Sequence, residues 1–246
     1  MNPKNEEDNK VKLTILYDNH PSPSSRLKAD WGFSCLIQGL EKTILFDTGA
    51  NGSILQENMS HLEVSPTAID FVFLSHFHHD HTGGLEKLIN LNPHLEILLP
   101  ASFPSTFKNS LRAKNILIRE ITSFQEICPQ AYSTGIIEGW IKEQSLVLEV
   151  PSGLILMTGC AHPRIVNIIS LVKQFFPKEI TLLIGGLHLA GFSSREILQI
   201  IQVFRLQEVK RVAPAHCTGD EASSLLQQEY QENFLDVTVG KGFEIQ

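Results

Sequence analysis

One six-residue stretch, His76-Phe77-His78-His79-Asp80-His81, constrains this chain more than any other. It follows the apolar run Phe71-Val72-Phe73-Leu74-Ser75 and precedes Thr82-Gly83-Gly84. Imidazole and carboxylate are the side chains that divalent transition metals take as ligands. Histidines two residues apart, followed by an Asp-His pair, surround two adjacent metals when the backbone is a loop at a strand end. A helix would need i, i+4 spacing. A β-branched and aromatic strand before the stretch and a helix opening at Leu85 after it predict that loop. The reading makes His76, His78, Asp80 and His81 metal ligands. It leaves His79 as a structural or solvent-facing residue and sets His20, His61 and His94 outside the constellation.

A metal site needs ligands from elsewhere, and three further apolar runs end in them. These are Leu154-Ile155-Leu156-Met157-Thr158-Gly159-Cys160-Ala161-His162, Leu182-Leu183-Ile184-Gly185-Gly186-Leu187-His188 and Val212-Ala213-Pro214-Ala215-His216-Cys217-Thr218-Gly219. Strand C-termini along one sheet edge are where such groups converge. Glycines ahead of the ligands let the backbone come close to a metal or substrate. Asp47, in Phe46-Asp47-Thr48-Gly49, is read as an acid behind the ligands. Trp31 is read as a pocket or surface residue, Cys217 as packing, and Cys35 and Cys128 as inert thiols.

Short apolar runs recur at 12–17, 33–38, 43–46, 71–75, 95–99, 116–121, 145–150, 154–157, 181–184 and 211–215. Each is bounded by Gly, Pro, Asn or Asp and is predicted as a strand. Helices are predicted over 85–91, 163–175, 194–206 and 222–230. In 194–206, Ile197, Ile200, Ile201 and Phe204 share a stripe and Ser193 or Ser194 caps the start. Pro163 fits the first turn of its helix, where no amide donor is needed. Strand-rich halves followed by helices predict an α+β chain with two sheets face to face and helices outside. Residues 11–246 form one domain, residues 1–10 a disordered tail, and residues 100–143, the least regular part, an insertion or lid over a pocket.

At 42% hydrophobic and 19% charged residues, the 246-residue chain can bury a sizeable core, which excludes global disorder. The formal net charge of -7 argues against nucleic acid as a partner. No apolar run approaches the roughly 18 residues of a membrane span. The N-terminal stretch lacks the apolar core of a signal peptide. The four scattered cysteines therefore read as reduced thiols of a cytoplasmic protein.

With Phe46-Asp47-Thr48-Gly49, Ser75-His76-Phe77-His78-His79-Asp80-His81-Thr82-Gly83-Gly84-Leu85 and the later histidines in view, the chain resembles the metallo-β-lactamase fold superfamily. Thr158-Gly159-Cys160-Ala161-His162, Gly185-Gly186-Leu187-His188-Leu189 and His216-Cys217-Thr218-Gly219 resemble the subgroup named for a dihydropterin-ribofuranosylaminobenzene-phosphate synthase. The resemblance runs from about Leu13 to Gly242. It implies a four-layer αββα sandwich with a two-metal centre at one edge. His76 and His78 would hold the first metal, and Asp80, His81 and His216 the second. The superfamily's Pro-Gly-His loop is missing. Cys160 takes the position of its bridging carboxylate, and His162 substitutes as a ligand of the first metal. His188 has no counterpart in the commonest members.

Two divalent ions about 3.5–4 Å apart share a water and lower its pKa. The expectation is a hydrolase that uses a metal-bound hydroxide on a small anionic or pterin-like ester, lactone or phosphodiester. Asp80 would orient the nucleophile and His188 would protonate the leaving group. Zinc is the expected metal, with iron or manganese suited to the same ligands. The rival readings are a pterin-pathway synthase and a catalytically silent metal-binding sensor.

Overall fold

The computed structural model describes residues 10–24 and 26–246. The predicted tail therefore lies outside the described residues, apart from Lys10. Among the described residues, thirteen strands and seven α-helices follow in order. They are β1 (Val11–Tyr17), β2 (Ser34–Gln38), β3 (Ile44–Phe46), α1 (Gly52–His61), β4 (Phe71–Phe73), α2 (His79–Thr82), α3 (Leu85–Leu91), β5 (Glu96–Pro100), α4 (Ser105–Ala113) and β6 (Leu117–Ile121). After these come β7 (Ser123–Cys128), β8 (Ala131–Gly135), β9 (Leu146–Val150), β10 (Gly153–Thr158), α5 (Ile165–Phe175), β11 (Ile180–Gly186), α6 (Ser194–Leu206), β12 (Val212–Ala215), α7 (Asp220–Tyr230) and β13 (Gly242–Ile245).

The strands form a seven-stranded sheet, β13-β1-β2-β3-β4-β5-β6, and a six-stranded sheet, β12-β11-β10-β9-β8-β7. Their central strands are apolar on both faces, and strand alternation sorts the residues. In β3, Ile44 and Phe46 enter the core between the sheets, whereas Leu45 faces the helices. In β10, Ile155 and Met157 turn to the sandwich core and Leu154 and Leu156 to the opposite side. Leu55 of α1, Leu88 of α3 and Leu111 of α4 cover the first sheet. Ile168 of α5, Ile201 of α6 and Leu226 of α7 cover the second. The result is the αββα sandwich that the resemblance implied.

Within each sheet the parallel strands put their C-terminal ends on a common edge. β3, β4 and β5 run parallel in one sheet, and β10, β11 and β12 in the other. The segments leaving β3, β4, β10, β11 and β12 carry Asp47, His188 and all the predicted metal ligands.

Several sequence expectations are corrected. The stretch 76–81 is not loop throughout: His79–Thr82 forms one helical turn, with His78 as its N-cap. Pro163 lies ahead of α5, which starts at Ile165, because Arg164 has φ +74° and cannot continue a helix backwards. Residues 100–143 carry α4 and the strands β6, β7 and β8, and they lead the chain from one sheet to the other. Their strands are edge or near-edge, so exposed polar residues interrupt the apolar pattern. Helices α1 and α4 and the terminal strand β13 are further elements that the sequence expectations left out, although Phe107 and Leu111 of α4 lie one turn apart and pack on the first sheet.

Candidate metal centre

The first sheet's wall is built on a buried acid. Asp47, at the end of β3, accepts hydrogen bonds from the Ser75 amide and hydroxyl, both at 2.7 Å. Its Oδ2 is also 2.7 Å from His81 Nδ1. Asp47 thereby orients His81, whose other nitrogen points into the site. Ser75 Oγ is 2.9 Å from His76 Nδ1, and His76 Nε2 is 3.0 Å from His78 Nδ1. Asp80 Oδ2 lies 3.8 Å from His81 Nε2 and 3.2 Å from His216 Nε2. It also accepts a 2.9 Å hydrogen bond from Trp31 Nε1, which puts Trp31 at the site mouth.

The second sheet's wall brings Cys160, His162, His188, His216 and Cys217. Cys160 is central: Cys160 Sγ is 3.2 Å from His81 Nε2. Three groups have ligand atoms all within 4.8 Å of one another: His76, Cys160 and His162; His81, Cys160 and His216; and Cys160, His188 and Cys217. Cys217, read from sequence as packing, thus belongs to the cluster. It is drawn well below its ordinary pKa, first by the Cys160 side chain and then by His188, and its thiol lies 3.6 Å from the Cys160 carbonyl oxygen. Two glycines permit this approach of the walls. A Cβ on Gly159 would sit 2.1 Å from Ser75 Oγ, and one on Gly186 would sit 2.7 Å from Cys217 Sγ.

Four residues that sequence reasoning missed hold these walls. Glu143 is fully buried, and its carboxylate accepts from the amides of Gly159 (3.1 Å), Cys160 (3.0 Å), Ala161 (3.0 Å) and His162 (2.9 Å). Burial pushes the carboxyl up, while those amides pull it back. Next to it, Gln144 donates to the Leu74 carbonyl at 2.8 Å, and its own amide donates to the Ser75 carbonyl at 2.9 Å. One dipeptide between β8 and β9 therefore grips a loop from each sheet. Asn19 Oδ1 lies 3.0 Å from His216 Nδ1, and Asp18 accepts the His216 amide at 3.0 Å. His20, set outside the constellation by the sequence reading, contacts that same Asp18. None of these polar residues has a sequence pattern of its own.

The electrostatics suit metal ligation. His76 is held well below its usual pKa, first by burial and then by His81. Burial and His188 push His162 down to about 3. Both imidazoles are therefore neutral, the form that binds metal. Both ring nitrogens of His162 and Nδ1 of His188 are buried without a hydrogen-bond partner among the described residues, and Nε2 of His216 has only its 3.2 Å contact with Asp80. An unpartnered buried polar atom costs about 1–3 kcal/mol, so a cluster of them facing a thiol calls for a ligand from outside the chain. The donor set fits a divalent ion. Backbone strain gathers here too. Asp47, Ala161, Arg164, His188 and His216 all have φ between +49° and +74°. The other positive-φ residues besides glycine sit after helices or in a turn, as Glu63 does after α1 and Gln130 does between β7 and β8.

The family model of the metallo-beta-lactamase superfamily matches residues 32–118 of this chain. Members are metal-dependent. Over 94% of its length the chain is 26% identical to a 7,8-dihydropterin-6-methyl-4-(beta-D-ribofuranosyl)-aminobenzene-5'-phosphate synthase of Methanocaldococcus jannaschii, covering 95% of that protein. A crystal structure of a metal-dependent hydrolase of the beta-lactamase superfamily superposes with a TM-score of 0.81 at 25% identity, covering 96% of this chain and 99% of the other. The metallo-beta-lactamase fold protein YhfI from Bacillus subtilis superposes at 0.72 with 15% identity over 96% and 100%, a likeness of fold.

Proposed function

We propose that this protein is a metal-dependent hydrolase of a small anionic molecule, working through two divalent ions, zinc above all. His76, His78 and His162 would hold one ion, and Asp80, His81 and His216 would hold the other, with the Cys160 sulfur as a further donor. The observation that carries this reading is the set of unpartnered buried imidazole nitrogens arranged around that sulfur. Ions bound there would polarise an ester or phosphoryl oxygen and lower the pKa of a water toward neutrality.

The chain's own groups do the rest. Asp80 orients the attacking water, and Trp31 Nε1 fixes the carboxylate that does so. His188, whose Nδ1 has no partner, protonates the leaving group. Four unpaired cysteines suit a reducing, cytoplasmic setting.

A second reading is a pterin-pathway synthase, in which the same ions stabilise charge without net hydrolysis. The nearly full-length likeness to the Methanocaldococcus jannaschii synthase favours it.

Metal content per purified chain, measured beside His76→Ala and His216→Ala, tests the centre. The expected result is about two ions in the parent and fewer in each variant. One ion, lost only with His76→Ala, turns the reading to a mononuclear synthase or a sensor. No ion, with zinc, iron or manganese supplied, overturns it. A panel of chromogenic phosphodiesters, esters and lactones then separates hydrolase from synthase.

A further inference from the structure

A cavity of about 240 Å³ lies beside the histidines, lined by Trp140, His162, Arg164, Ile165, His188 and Phe192 among others. We propose that it is the subsite that selects the substrate, and that it takes a flat ring bearing an anionic group, phosphoryl or carboxylate. This inference rests on the reading that the neighbouring centre acts on that same molecule.

Size limits the occupant first. A dry cavity of about 150 Å³ is enough for benzene. The volume here therefore suits one aromatic ring with a substituent and excludes a folded peptide or a nucleic-acid strand.

The walls are aromatic. Trp140 is 73% exposed, an unusual cost for an indole unless something stacks on it. Its ring lies 5.3 Å from His162 and 6.4 Å from His188, which ties it to the centre. Phe192 supplies a further wall, and the Arg164 guanidinium stands 5.8 Å from its ring centre.

The charge is positive and uncommitted. No ion pair among the described residues includes Arg164. Glu196, an acid whose field it feels, is engaged by the Ser193 amide and hydroxyl at 2.9 and 2.7 Å. Arg164 is also held at φ +74°, a conformation that side chains rarely adopt and that marks working positions. Just after it, Ile165 and Val166 open the eleven-residue helix α5 along the same cavity, with no side chain capping them. Their free amides add to the attraction for an anion. An independent sign of a ligand is His162, 6% exposed, with both nitrogens unpartnered. A metal takes one nitrogen, and the other still needs an acceptor or donor.

Calorimetry on the zinc-loaded full chain tests this with phenylphosphonate and methylphosphonate, neither of which can be hydrolysed. Phenylphosphonate should bind at least about tenfold tighter. Arg164→Ala should weaken it about tenfold, with Arg164→Lys in between. Trp140→Ala, at an exposed position, should erase the phenyl preference and leave methylphosphonate unchanged. Benzoate in place of phenylphosphonate tells a carboxylate site from a phosphoryl one. Equal affinities for the two phosphonates, or variants that bind phenylphosphonate like the parent, overturn the subsite. If turnover or metal is missing but the phenyl preference and its loss in both variants stand, the proposed function fails and the subsite remains. A metal-loaded hydrolase without the preference is the reverse case.

Discussion

The two walls of the metal centre are built by opposite strategies. On the first sheet, four candidate ligands come from six consecutive residues, and Asp47 on the adjacent strand supports them through Ser75 and His81. On the second sheet, each of three loops contributes one or two groups, and the loops meet through a few bonds, such as those from the Gly186 amide to the Gly159 carbonyl and from the Leu187 amide to the Thr218 hydroxyl. Further order comes from outside: Glu143 grips the amides of residues 159–162, and Asn19 and Asp18 grip His216. A compact motif can carry its own scaffold, whereas a dispersed one depends on distant buried polar groups. Those groups are the places where the comparison can be tested.

The largest effect should come from Glu143→Ala. It leaves four buried amides without an acceptor and should cost about 3–5 kcal/mol in urea unfolding. Metal content should fall with it, because His162 and Cys160 lose their placement. If stability and metal content both stay at parent levels, the second wall holds itself and the contrast is wrong. Asp47→Asn probes the first wall. It removes the charge behind His81 and should weaken zinc binding about 10–100-fold in competition with a chromogenic chelator. Stability should change less than in Glu143→Ala, since the local motif keeps its other hydrogen bonds.

Asn19→Ala should act on one ligand only. It removes the contact to His216 Nδ1 and should weaken zinc binding by about tenfold or less in the same competition, with stability within about 1 kcal/mol of the parent. The smallest effect belongs to Trp31→Phe. The indole is 56% exposed and its hydrogen bond to Asp80 is open to solvent. Zinc affinity should move by less than about threefold, and any loss should show in the turnover of a hydrolysed substrate.

Legibility in the sequence followed the same division. His76, His78, Asp80 and His81 were readable because ligand types crowd into one stretch between a strand and a helix. Cys160, His162, His188 and His216 were readable because each ends an apolar run. Asp47 was readable as a strand-end acid. Cys217 was not, since a thiol beside a histidine is ordinarily filler, and only the meeting of two loops puts it near Cys160. Glu143 and Gln144 were hidden more completely. They sit in a polar stretch, Glu138 to Gln144, that resembles any surface loop, and nothing in residue type or spacing says that 143 and 144 are fully buried. The single turn at His79–Thr82 was hidden because four residues are too few for a period to show.

Local chemistry in the sequence therefore determined most of the strands, the larger amphipathic helices, the sandwich and most of the groups able to hold a metal. A strand or helix face is written in its own residues through burial alternation. The tertiary structure decided which groups meet, which buried carboxylate and amide hold the opposing loops, and where the cavity with Trp140, Arg164 and Phe192 opens. Those are long-range contacts between segments far apart in the chain. The hydrogen bonds that Glu143 accepts from amides 16 to 19 positions away follow from strand pairing and packing, which no local pattern encodes.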